Sequence, residues 1–361
     1  MKNPAPLPPL KKAEPNTNED LTPSGSFLPG RVMKRGLKMK WLSRLILLVV
    51  IAVLLYFAFQ NAPIMEIWKT LRSLHLWQIL VLASLNTLIY FFITARWWFI
   101  VHAEKRDIRY LPLIGVRISV FGISYFTLGP QVGGEPLQVL YLQRNYGLTY
   151  TRATASVVMD KLLELLANFF LLVFGLNAVL QVGILPNGVG LPPLILIGLA
   201  GLVLWPLVHI ILLYNRRYPL SALLHHLPGT HKDGKFVRFT RACEHLAGQF
   251  CQRHPRSLLA AIVVSLLASA GTVSEYALIT SFLNIGLPFR QIAAAWTAGW
   301  LSFLVPLPAG LGALEASQVF ALGFFGISAA SAISVTLMMR GRDLFFGGLG
   351  LLLAGNAARK G

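Results

Sequence analysis

Long unbroken apolar runs dominate the chain, at about residues 41–59, 76–100, 153–181, 191–214, 258–284 and 328–356. Each reaches roughly the 20 residues needed to cross a bilayer as a helix. They predict an all-α polytopic membrane protein with about six full spans. Two further apolar regions, 112–146 and 290–326, are each interrupted by helix breakers. The first interruption reads Gly129-Pro130-Gln131-Val132-Gly133-Gly134-Glu135-Pro136, and the second Pro306-Leu307-Pro308-Ala309-Gly310-Leu311-Gly312-Ala313-Leu314-Glu315. Backbone broken at membrane depth leaves peptide groups unsatisfied, which hydrocarbon tolerates only where protein or a water-filled cavity surrounds them. Paired breaks in corresponding halves of a chain are a sequence pointer to a transport site.

Each broken region is read as a re-entrant hairpin, with two thin crossings as the alternative. Both options return the chain to the side it left, so charge counting does not separate them. The arms, about 112–128 and 132–146 in the first region, are short for full spans. The second arm carries Glu135, Gln138, Gln143 and Arg144, which is too polar for a lipid-facing surface. Spacing supports an internal repeat. Pro130 precedes Glu135 by five residues and Met159-Asp160-Lys161 by 29; Pro308 precedes Glu315 by seven and Met339-Arg340-Gly341-Arg342-Asp343 by 31. Units at about 76–181 and 258–356 would run in opposite directions through the membrane, an inverted repeat of the kind recurrent in transporters.

Composition agrees with the membrane reading: 55% of the 361 residues are hydrophobic and 13% charged, with a mean hydropathy of +0.63. The net charge of +18 argues poorly for nucleic acid, because the basic residues gather just outside the apolar runs. Topology and anionic head groups account for it better. Residues 1–40 are expected to be a disordered cytoplasmic tail, rich in Pro, Asn, Thr and Ser, ending in a basic block of Arg31, Lys34, Arg35, Lys38 and Lys40. The run at 41–59 is expected to be an uncleaved anchor rather than a signal peptide. Lys105, Arg106 and Arg109, the basic segment 215–257, and Arg359 and Lys360 all fall on the cytoplasmic side under the positive-inside rule, giving N-in/C-in. Cys243 and Cys251 lack metal-ligand spacing and read as reduced. Segment 232–256 reads either as an amphipathic helix on the cytoplasmic leaflet or as a solvated connector.

The two breaks carry a resemblance. The run 129–136, followed by Ala155-Ser156-Val157-Val158-Met159-Asp160-Lys161-Leu162, is similar to a signature of the lysylphosphatidylglycerol synthase transmembrane-region family. The Pro-Ala-Gly-Leu-Gly-x-x-Glu pattern within 306–316 resembles its second signature, and the likeness spans about 42–356. One departure stands at the first break, where Pro130-Gln131-Val132-Gly133-Gly134-Glu135 has fewer glycines than the usual Pro-Gly-Gly-x-Gly-Gly-Glu. The resemblance implies a flippase-like protein that moves a lipid between leaflets, here without the aminoacyl-transfer domain of the bifunctional members. The lipid need not be lysylphosphatidylglycerol.

Charges embedded in apolar sequence supply the chemistry. An ionised side chain at the bilayer centre costs about 2.5–3.5 kcal/mol on insertion scales, so each is expected to face a partner or water. Asp160 and Glu164 share a helix face, and Lys161 lies three residues before Glu164. Arg340 and Asp343 are three apart, with Arg342 on another face; Arg117 lies in the first hairpin arm. One polar cavity between the repeats is expected, in which Arg117, Lys161, Arg340 and Arg342 hold a phosphate. Glu135, Asp160, Glu164, Glu315 and Asp343 would balance that charge or meet a cationic head group. Gly133, Gly134, Pro308, Gly310 and Gly312 would shape the breaks. A bland alternative stays open throughout: a closed ion-pair set that fixes helix packing, with Glu135 and Glu315 merely capping half-helix N-termini. Glu275 reads as structural, the histidines as interfacial, and Arg96, Trp97 and Trp98 as interface anchors.

Three functions remain: carrier of an anionic phospholipid, an aminoacylated lipid or a related amphiphile in a bacterial inner membrane; non-catalytic partner of a lipid-synthesis enzyme; or intramembrane lipid transferase. No Ser/His/Asp set, HExxH or metal cluster supports the last. No phosphate-binding glycine loop of the Gly-x-x-x-x-Gly-Lys-Ser/Thr type appears, so neither a nucleotide nor another cofactor is expected.

Overall fold

A computed structural model of the chain describes residues 64–126, 133–182, 193–226, 234–305, 307 and 310–359. The expected tail 1–40, the run 41–59, the first-break residues 129–132, most of the loop before 193, and Pro306 and Pro308 lie outside the described residues. The described helices are α1 (Ile64–Arg72), α2 (Leu76–Glu104), α3 (Tyr110–Phe126), α4 (Glu135–Tyr146), α5 (Tyr150–Gln181), α6 (Pro193–Tyr214), α7 (Pro219–His226), α8 (Lys235–Arg253), α9 (Pro255–Phe282), α10 (Phe289–Ser302), α11 (Ala313–Phe324) and α12 (Ala329–Arg359). No strand occurs among the described residues.

Three of these helices, α2, α5 and α9, are long and apolar enough to cross a membrane. Only 17%, 39% and 22% of their most apolar windows are buried inside the protein. The remaining surface shows Leu80, Leu88, Phe170, Phe174 and Leu259 to the surroundings. A water-facing protein would not leave such continuous apolar bands uncovered; lipid covers them. Helix α12 is as long, but Arg340, Arg342 and Asp343 interrupt its apolar sequence.

Local chemistry sets the helix ends. Thr149, in extended conformation, accepts the Arg152 N–H and caps α5. Pro255 stops α8 and opens α9, because the residue before a proline avoids helical geometry while proline itself suits a first turn. At the breaks, α4 starts from Gly134 with Pro136 in its first turn, and α11 starts from Gly312.

The order α2–α5 is echoed by α9–α12. Lengths are 29, 17, 12 and 32 residues in the first set and 28, 14, 12 and 31 in the second. Packing is echoed too: α2 lies along α9, α3 packs on α12, and α10 packs on α5. Each half has its own apolar core, around Trp97, Leu113, Val120 and Leu142 in the first and around Tyr276, Leu314, Leu322 and Met339 in the second.

The basic segment folds as α7 and α8, packed on α6 and α5. Glu244 of α8 accepts the Leu220 and Ser221 N–H groups at 2.8 and 2.9 Å, tying down the start of α7. The buried face of α8 includes Val237, Thr240, Ala247 and Phe250, with Phe236, Arg238 and Arg241 on the outside. Burial pushes the Cys243 and Cys251 thiols up to about 11, Glu244 adding to the effect at Cys243.

Candidate functional site: an ion-lined cavity

Helix α5 presents Asp160 and Glu164 one turn apart, and two arginines from other helices converge on them. Arg96 of α2 donates to Asp160 at 2.6 Å through Nε and to Glu164 at 2.7 Å through Nη2. Arg117 of α3 donates to Asp160 at 2.7 Å and to Glu164 at 3.2 Å. Asp160 is 1% exposed, so two guanidinium groups replace the water it has lost. Lys161 reaches Glu164 at 3.0 Å and, across the first break, Glu135 at 3.4 Å. This outer pair is partly open, with side-chain exposures of 29% for Lys161 and 21% for Glu135.

The break beneath it is shaped by glycine. Glu135 accepts the Gly133 N–H at 2.7 Å, and the Gly134 N–H donates to Ser124 of α3 at 2.9 Å. Gly134 lies directly on α3: a Cβ there would stand 2.3 Å from the Val120 carbonyl oxygen. No larger residue fits without moving the two elements apart.

In the second half, Glu315 accepts the Gly312 N–H at 2.9 Å, the same use of a glutamate at the start of a half-helix. Gly312 has φ of +80°, a left-handed conformation that side-chain-bearing residues adopt with strain. Here the glutamate is sealed. Arg340 of α12 grips both Glu315 oxygens and also donates to the Gly310 carbonyl at 3.1 Å and to Tyr125 at 3.3 Å. Arg342 turns the other way, pairing with Asp343 at 2.7 Å and with Glu275 of α9. Asn86 of α2 donates to the second oxygen of Glu275 at 2.8 Å.

Between the halves lies a cavity of about 270 Å³. Its wall carries the cations Arg96, Arg117, Lys161 and Arg342 and the carboxylates Glu135, Asp160, Glu164, Glu275 and Asp343. Tyr90, Gln138, Asn168, Ser269 and Thr272 add polar groups, and Phe121, Trp296, Trp300 and Phe303 add aromatic surface. Gln138 is 1% exposed, and its amide nitrogen has no hydrogen-bond partner among the described residues. Among the described residues, no group of three or more His, Cys, Asp and Glu side chains is arranged to hold a metal ion.

Of the residues expected at one site, Arg117, Glu135, Asp160, Lys161, Glu164, Arg342 and Asp343 come together on this wall. Gly133 and Gly134 form the turn behind it. Gly310, Gly312, Glu315 and Arg340 do not line the cavity; they form the sealed clasp of the second break. Pro308 lies outside the described residues. The expected association of Arg340 with Asp343 is corrected: Arg340 takes Glu315 and Asp343 takes Arg342, because nearby residues on α12 point to different sides.

Two residues were misread from sequence. Arg96 is no interface anchor, being 3% exposed and central to the first cluster, and neighbouring Trp97 is fully buried. It is the sole Asp, Glu, Lys or Arg between Leu76 and Ala103, so the argument applied to Arg117 applies equally to it. Glu275 has the basic partner it lacked in sequence, Arg342, which lies 67 residues away.

The family model described as "Lysylphosphatidylglycerol synthase TM region" matches residues 44–350. Among curated proteins, UPF0104 membrane protein PH1989 of Pyrococcus horikoshii is 23% identical over 267 residues, covering 68% of this chain and 76% of the relative. No solved structure matches.

Proposed function

The chain belongs to the lysylphosphatidylglycerol synthase transmembrane-region family, and on that premise we propose that its cavity receives the polar head group of a phospholipid or related amphiphile and passes it between leaflets. One observation carries this reading: a polar cavity, walled by ion pairs from both halves, sits among helices whose outer faces are apolar. Lys161 and Arg342 are its accessible cations, with side-chain exposures of 29% and 23%. A head-group phosphate approaching them would replace Glu135 at its 3.4 Å contact with Lys161 and leave the better-buried pairs intact. Glu135 and Glu164 would then meet an amine or hydroxyls on the same head group. With five carboxylates against four cations, the wall disfavours a bare polyanion and suits a head group carrying positive or hydroxyl groups beside its phosphate.

The inverted-repeat reading is supported by the matched lengths of α2–α5 and α9–α12 and by the exchanged packing of α3 on α12 and α10 on α5. Under it, the two broken elements enter from opposite faces, the basic segment 215–257 lies in the cytoplasm, and the protein resides in a bacterial inner membrane. The test is leaflet exchange of labelled phosphatidylglycerol and cardiolipin in reconstituted vesicles. Exchange above protein-free vesicles, lost in Lys161→Ala and Arg342→Ala proteins that retain their fold, supports the reading. Exchange no faster than in protein-free vesicles for any head group overturns it and leaves the role of a non-catalytic partner to a lipid-synthesis enzyme.

A further inference from the structure

A second polar pocket, of about 180 Å³, lies at the far end of α6, where α8 crosses it. Its wall includes Arg216, Tyr218, His245, Gln249, Gln252 and Arg253, and no carboxylate among the described residues. That absence separates it from the cavity between the halves, whose every cation is matched by an acid. Neither Arg216 nor Arg253 makes an ion pair among the described residues.

The pocket's side chains are held in place. Arg216 has φ of +58° because it closes the end of α6: its N–H and that of Arg217 return to the Leu213 and Leu212 carbonyls at 3.0 and 2.8 Å, the left-handed turn common at helix C-termini. Gln252 braces the Arg216 side chain: its amide nitrogen donates to the Tyr214 carbonyl and its oxygen accepts the Arg216 Nε at 3.3 Å. With Nε engaged, the two terminal nitrogens of Arg216 keep their donors for another partner. His245 is held on both sides, by the Tyr218 hydroxyl at 2.7 Å and by Gln249 at 2.8 Å. In the tautomer where Gln249 donates to Nε2, Nδ1 donates to Tyr218, and the Tyr218 hydroxyl proton is free to point into the pocket. Arg241 stands 6.0 Å over the Tyr218 ring and adds positive potential.

We propose that this pocket binds a phosphate oxyanion, with Arg216 and Arg253 as its charged donors and Tyr218 as a neutral one. Arginine in pairs matches the several oxygens of a phosphate, and an acid-free wall does not compete with it. The phosphate belongs to an anionic lipid head group or is free in solution. Tyr214 beside it, whose carbonyl Gln252 holds, is 53% exposed, a flank that lipid acyl chains would cover.

The test uses the full chain in phosphate-free maltoside micelles, titrated calorimetrically with inorganic phosphate and, separately, with dihexanoyl-phosphatidylglycerol. The variants are Arg216→Gly, whose residue accepts φ of +58° without strain and so preserves the fold, and Arg253→Gln. Lys161→Ala protein, altered only in the cavity between the halves, separates the two sites. Saturable binding that survives Lys161→Ala and weakens at least tenfold in the Arg216→Gly/Arg253→Gln protein supports the proposal. Binding of phosphate assigns the free ion, and binding of the lipid alone assigns the head group. Wild-type protein that binds neither probe, or a double variant that binds as wild type does, overturns it.

Discussion

Glu135 and Glu315 play like parts in the first turn of their half-helices, each accepting a glycine N–H, yet neutralising them should have opposite consequences. Glu315→Gln keeps the shape and an oxygen for the Gly312 N–H but removes the counter-charge of Arg340. Arg340 is 7% exposed, and the Gly310 carbonyl and Tyr125 hydroxyl it also contacts are uncharged and do not replace that counter-charge. Stranding one member of a buried ion pair costs about 3–5 kcal/mol. Glu135→Gln removes a pair that is 3.4 Å long and open to the cavity, and Lys161 keeps Glu164 at 3.0 Å. A partly hydrated pair of that kind contributes about 0–1 kcal/mol. Thermal and denaturant unfolding of the purified proteins should therefore rank Glu315→Gln far below wild type and Glu135→Gln beside it. Lipid exchange should be impaired in Glu135→Gln without loss of fold. Equal destabilisation by the two substitutions, or an unaffected Glu315→Gln protein, would refute the division into a working break and a sealed one.

Arg96→Met should cost about 3–5 kcal/mol by leaving Asp160 and Glu164 with less compensation. Arg96→Met/Asp160→Asn should recover part of that loss, and a cycle additive within about 0.5 kcal/mol would disprove direct coupling. Gly134→Ala should destabilise by about 1–3 kcal/mol, because the added methyl meets the Val120 carbonyl; an unchanged unfolding midpoint would contradict that packing. Cys243 and Cys251, with thiols near 11, are neutral at pH 7 and gain thiolate only as pH rises toward that value. Maleimide labelling of folded protein should be slow at pH 7, faster at pH 9, and fast at either pH after denaturation.

The positions of α2, α5 and α9 were legible because a helix of span length with so few polar residues has little choice but to face lipid. Both breaks were legible as well, since proline and clustered glycine leave helices few ways to continue. Partner choice was not. Spacing put Arg340 and Arg342 on different faces of one helix, but only packing shows that one turns to Glu315 and the other to Glu275. Arg96 was hidden by its neighbours: two tryptophans beside an arginine imitate an interfacial belt. Glu275 was hidden by distance along the chain, since only the packing of α9 near α12 brings Arg342 to it. The sequence periodicity thus located embedded charges, whereas tertiary packing decided which of them face the cavity.

Photo-crosslinking from inside the cavity tests the central claim most directly. A photoreactive phenylalanine derivative placed at Trp300, on the cavity wall, is compared with one at Phe320, which is 68% exposed on the outer surface. Trp300 should capture a phospholipid with a discrete head group, identified by mass spectrometry, and Lys161→Ala/Arg342→Ala should abolish this adduct while Phe320 continues to capture bulk lipid. Capture at Phe320 alone, or a Trp300 adduct indifferent to both cations, would contradict it.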